Sequence, residues 1–171
     1  MTMNYSILGL ALLLVSCGGS AEPASEEVGT PSGPHLLEPH YLSAAPDGAV
    51  EVGELRSLGD GATVVVRGDV RDYAPVEGKA VLTLYDHSLV SCDEMGDDDH
   101  CATPWDFCCE DGSKIKLGSA VVEFREEGRL VAASFEGLHG LGYLSDVVVT
   151  GTLGVDETGN LKIVADGIHV E

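Results

Sequence analysis

Basic side chains are scarce: nine Lys and Arg face 29 Asp and Glu over 171 residues, a formal net charge of −20. Nucleic acids are held mainly by cations that displace their counterions. Nine scattered basic residues under a field of the opposite sign cannot form a dominant basic stripe, so no nucleic-acid partner is expected. Aromatic residues make up only 5% of the chain, so the core must come from Val, Leu, Ile and Ala, which points to β structure. The 44% apolar content still suffices for one small core. No Gly-x-Ser-x-Gly, His-Glu-x-x-His or phosphate-binding glycine loop occurs, and neither does an internal repeat or a heptad. The expectation is a protein that is not an enzyme and carries no cofactor.

What the chain does have begins at its start. Ile7 to Val15 is uncharged and apolar but too short to serve as a membrane-spanning anchor, so it reads as the hydrophobic part of a signal peptide. Leu14-Val15-Ser16-Cys17 resembles the lipobox of bacterial lipoproteins. That resemblance implies removal of residues 1–16, lipidation of Cys17 as the mature N-terminus and attachment to a membrane of the bacterial cell envelope, facing the periplasm or the surface. Gly18 after the cysteine, in place of Asp, favours the outer membrane. Residues 17–34 are almost exclusively Gly, Ser, Pro, Ala and Glu, a composition that cannot offset its ordering entropy and is read as an extended tether. Residues 35–49, interrupted by Pro39 and Pro46, are expected to form an ordered or semi-ordered lead-in without regular structure.

From residue 50 the pattern changes to strands. Val64, Val66, Gly68 and Val70 share one face of a period-two segment, with a bend expected at Gly68. Ala80–Asp86 and Ala120–Phe124 read as further strands, and Leu130–Phe135 is expected to pair back across Glu126-Glu127-Gly128. Residues 137–145 read as a compact loop or one helical turn, followed by strands over 146–153 and 161–170. In the last strand inward parity runs Leu161, Ile163, Ala165 and then slips to Ile168, Val170, which predicts a bulge near Gly167.

This order of parts resembles the OB-fold superfamily over residues 50–171. It implies an all-β, mainly antiparallel domain: a small five- to six-stranded barrel with a Cys-rich insertion at 87–118. OB-folds commonly bind single strands or saccharides on the face of their second and third strands. Here Asp93-Glu94 and Asp97-Asp98-Asp99 follow the second strand and would repel phosphates, so the commonest activity of the family is not carried over. Thr103-Pro104-Trp105-Asp106-Phe107-Cys108-Cys109 resembles a segment of uncharacterised exported bacterial proteins, which implies no activity.

The insertion holds every cysteine other than Cys17, namely Cys92, Cys101, Cys108 and Cys109. Four thiols in an oxidising compartment are expected to form two disulfides. Joining the adjacent pair to itself would close a strained ring. That leaves Cys92–Cys108 with Cys101–Cys109, or Cys92–Cys109 with Cys101–Cys108, each bridge contributing about 2–4 kcal/mol. Trp105 and Phe107 would form the loop's own small core, and with Tyr85 its interaction surface. An alternative is zinc or copper held by His87, Cys92, His100, Cys101, Cys108 and Cys109, although the gaps of eight, six and no intervening residues between the cysteines are not those of a zinc knuckle. A vicinal redox pair at Cys108-Cys109 and a Ca²⁺ site in the acidic run have less support, since neither a Cys-x-x-Cys nor an EF-hand pattern occurs. The expected function is a membrane-anchored, non-enzymatic binding module for an envelope protein or glycan, with metal handling or thiol redox chemistry as the alternative.

Overall fold

The computed structural model describes residues 34–73, 75–95, 102–103 and 105–171. Cys17, His100 and Cys101 lie outside the described residues. The period-two segment is strand β2 (Thr63–Asp72), with Val64, Val66 and Val70 buried on alternate positions. Around it lie β1 (Val50–Glu51), β3 (Val81–Tyr85), β4 (Ser119–Glu126), β5 (Arg129–Leu130), β6 (Asp146–Val155) and β7 (Leu161–Val170). The sheet runs β1-β2-β3-β4-β7-β6, and β6 pairs back onto β2 from Thr63↔Thr152 to Asp69↔Asp146, closing a five-stranded barrel. The pairings are antiparallel except β1 with β2 and β4 with β7. In the barrel, first, second, third, fifth and fourth strands follow one another around the wall, which is an OB-type closure. The fold is therefore the expected all-β barrel.

Local sequence explains the irregular points. The slip in β7 is a bulge: Thr150 faces Gly167 while Gly151 faces Ala165, leaving Asp166 as the extra residue. Glu127 and Gly128 take φ values of 49° and 79° at the turn between β4 and β5, the left-handed pair that a tight hairpin requires. The expected returning strand over 130–135 is corrected. Pairing ends at Leu130 apart from Val131, whose N–H donates to the Phe124 carbonyl at 2.9 Å. Val131, Ala133 and Phe135 instead turn inward and fill the core, which ladder pairing alone would not achieve.

The expectation that the lead-in lacks regular structure is corrected: it holds a 3-10 segment and a β-bridge, because its apolar side chains are part of this core. Pro34–His40 forms 3-10 turns that bury Leu37 completely. Beyond it Tyr41 makes a parallel bridge to Ile168, and Leu42 N–H donates to the Ile168 carbonyl at 2.7 Å. The Tyr41 ring stacks on His139 with centroids 3.4 Å apart. A second 3-10 segment, Val52–Ser57, buries Val52 and Leu55 in the barrel. No helix among the described residues is long and apolar enough to cross a membrane.

Candidate functional site

The insertion between β3 and β4 is more structured than a stapled loop. It holds a 3-10 turn at Cys92–Met95 and a short helix α1 (Gly112–Leu117), capped where the Asp111 carboxylate accepts a hydrogen bond from Ser113 N–H at 2.8 Å. It folds back over the outward side of Tyr85, the last residue of β3. Phe107 stacks on Tyr85 with centroids 4.9 Å apart and planes 7° apart, and Leu89, Ile115 and Leu144 complete a small satellite core. Arg71 of β2 clamps this unit. Its Nη1 donates to the Tyr85 hydroxyl at 2.8 Å, its Nη2 pairs with the Asp106 carboxylate, and its guanidinium lies 5.1 Å from the Tyr85 ring centroid. Cys92 N–H donates to the Asp106 carbonyl at 2.8 Å, tying the two arms of the insertion together.

This arrangement corrects the expected interaction surface. Tyr85 and Phe107 are only 7% and 1% exposed, because an aromatic ring on the outside of β3 gains more by covering than by hydration. Of the three expected residues, Trp105 alone is part of an accessible surface. It stacks on Tyr143 at 4.6 Å and 16°, and Tyr143 meets Tyr73 at 4.9 Å. Tyr143 is 45% exposed, while Trp105 and Tyr73 are half-buried. The partners come from the end of β2 and the loop before β6, and no spacing rule relates them to the insertion.

Three thiols of the insertion meet. Cys92 Sγ lies 3.2 Å from Cys108 Sγ and Cys108 Sγ lies 3.9 Å from Cys109 Sγ, all three within 4.8 Å of one another. Cys92 is buried, while Cys108 and Cys109 are exposed. His87 does not join them, which corrects its place in the alternative mixed His and Cys ligand set, of which His100 and Cys101 lie outside the described residues. Its Nδ1 is 2.8 Å from Glu51, and its Nε2 is 3.6 Å from Asp69 and 3.4 Å from Asp146. Burial works to lower the His87 pKa, but these carboxylates outweigh it and the net shift is upward. Asp69 is pushed up, chiefly by burial. Arg67 completes the cluster at 2.9 Å from Asp146, 3.6 Å from Glu171 and 3.9 Å from Glu51. Strand register builds this cluster, since Glu51 faces Arg67 and Asp69 faces Asp146.

A groove of about 550 Å³ on the outside of β4 and β7 is lined by Lys116 and Lys162 together with Asp60, Glu123, Asp156 and Asn160. The Asp156 carboxylate in it is held well below the ordinary range by hydrogen bonds, first from Thr158 and then from Asn160.

No protein-family model matches the chain, and no curated protein matches it. Several solved structures are similar to it. The hypothetical protein ygiW from E. coli is 16% identical with a TM-score of 0.39, covering 82% of this chain and 96% of that one. Schizosaccharomyces pombe Pot1pC bound to ssDNA is 10% identical with a TM-score of 0.41, covering 73% and 87%. Asparaginyl-tRNA synthetase from Pyrococcus horikoshii is 22% identical with a TM-score of 0.40, covering 71% of this chain but only 22% of that one. The exclusion of nucleic acid drawn from net charge is corrected: the Pot1pC structure, similar to this chain, holds single-stranded DNA, and a net charge summed over a whole chain does not by itself exclude a local contact.

Proposed function

We propose that the chain is a lipid-anchored envelope protein whose barrel is a non-enzymatic binding module, presenting the Trp105–Tyr143–Tyr73 stack to the apolar face of an envelope glycan. The observation that carries this reading is the stack itself, fixed on one side by the Arg71–Asp106 clamp and left half open to solvent. Aromatic faces offer large contact area at little entropic cost, and the C–H faces of sugar rings complement them. The lipobox at Cys17 and the acidic tether support the anchoring half of the reading.

Trp105 is the one tryptophan of the chain, so its fluorescence reports on the stack directly. Titration with neutral oligosaccharide fragments of the envelope is expected to shift Trp105 emission in a saturable way, and Trp105→Ala is expected to weaken binding at least about tenfold, a loss typical of a central aromatic anchor. An unchanged emission spectrum across such fragments would remove the glycan reading.

A further inference from the structure

We propose that Leu144 is a positioning residue of the aromatic stack, holding Tyr143 against Trp105 before any ligand arrives. The proposal rests on the reading of that stack as a binding surface. Tyr143 and Leu144 are the two central residues of a turn in which Ser145 N–H donates to the Gly142 carbonyl at 3.3 Å and Gly142 N–H to the Ser145 hydroxyl at 2.9 Å. Leu144 takes φ 59° there, the left-handed conformation that a type II turn requires at its third residue and that glycine normally supplies. A leucine in that place is strained, and it persists only where its surroundings hold it.

Two sets of contacts do so. Toward the barrel, Leu144 N–H donates to the Val70 carbonyl at 2.7 Å, and Val70 N–H donates to the Ser145 carbonyl at 2.9 Å. Val70 is fully buried, so the turn is pinned to β2 three residues before Tyr73. Toward the insertion, the Leu144 side chain packs on the satellite core of Tyr85, Leu89 and Phe107. Neighbouring residues of one turn thus engage one segment of the insertion: Tyr143 stacks on Trp105, and Leu144 packs on the cluster that contains Phe107. Glycine would relieve the strain and give up that anchor. Leucine keeps the Tyr143 ring, at the outer corner of the turn, 4.6 Å from Trp105 and 4.9 Å from Tyr73. A stack assembled in advance spares a ligand the entropy of ordering it.

The test uses the full chain and reads Trp105 by near-UV circular dichroism and emission, first without ligand. Leu144→Gly removes strain and anchor together, whereas Leu144→Met keeps the strained backbone and an apolar side chain of similar volume. Leu144→Gly is expected to lose the Trp105 dichroism and shift its emission to the red, with amide protection in β2, β6 and β7 retained. Leu144→Met should keep both signals. Affinity for neutral oligosaccharides should fall at least about fivefold in Leu144→Gly, since a surface assembled for a fraction of the time binds in proportion to that fraction. Trp105 signals unchanged in Leu144→Gly, or lost equally in Leu144→Met, would overturn the proposal. A Leu144→Gly chain that fails to fold would overturn it too, because the residue would then hold the barrel and not the stack. Ligand-free signals as expected, with no oligosaccharide bound by the parent, would uphold the positioning of Tyr143 and remove the glycan reading alone.

Discussion

Gly68 sits where β2 passes closest to the end of β3. A Cβ placed there would lie 2.4 Å from the Tyr85 carbonyl oxygen, an approach that only glycine permits. Gly68→Ala is therefore expected to destabilise the barrel by roughly 1–3 kcal/mol in urea unfolding. Gly142→Ala, where an added Cβ meets nothing within 4 Å, should stay within about 0.5 kcal/mol of the parent. Two neighbours, Asp86 and His87, set opposite limbs of the pH profile. Burial works to raise the Asp86 pKa, but hydrogen bonds from Ser88 and from Gly53 N–H at 2.7 Å outweigh it and hold the carboxyl below its ordinary value. Its stabilisation is complete above the unfolded carboxyl pKa of about 3.9 and is lost as pH falls through the lower folded value. His87 is shifted upward in the fold, so its stabilisation is complete below about pH 6.5 and is lost as pH rises through the folded value. Unfolding measured across pH should accordingly lose its acid limb in part in Asp86→Asn and its alkaline limb in part in His87→Gln. An unchanged profile in either variant would contradict that assignment.

At the scale of elements, the insertion and the barrel are two packing units sharing Tyr85. Phe107→Ala removes the ring that roots the insertion, at a local cost of about 3–5 kcal/mol. Hydrogen exchange should then show lost protection in Cys92–Met95 and Gly112–Leu117 while β2, β6 and β7 keep theirs. Uniform loss across both would show instead that they unfold together. The strands themselves were largely readable in the sequence, because period-two burial leaves a direct trace in Val64-Val66-Val70 and in the parity slip at Ala165–Ile168. Residues 130–135 misled for the same reason, since Val131, Ala133 and Phe135 alternate like a strand yet fill a barrel end. The site was less readable. The clustering of cysteines pointed to the insertion, but the burial of Tyr85 and Phe107 depends on Arg71 reaching across from β2. The aromatic stack joins three segments far apart in the chain, and only the fold brings Tyr73, Tyr143 and Trp105 together.

Considered as a whole molecule, the protein is proposed to have two ends with different tasks, a lipid at Cys17 and a binding surface on the barrel. Cys17→Ala should move it from the membrane fraction to the soluble fraction, and membrane retention of that variant would refute acylation at this residue as the anchor. Leu37→Ala should destabilise the entire barrel by about 2–5 kcal/mol in thermal unfolding, because a fully buried side chain of the lead-in is lost from the common core. The same lead-in matters mechanically. Tension arriving along the chain ahead of Pro34 meets first the Leu37 socket, then the Tyr41–His139 stack and the Leu42–Ile168 hydrogen bond. The seam between β2 and β6 that closes the barrel lies further along the chain and carries no load until those contacts have peeled away. Under the proposed anchoring at Cys17, the strap along β7 would work as the strain relief on a cable, letting the tethered chain be tugged without opening the barrel.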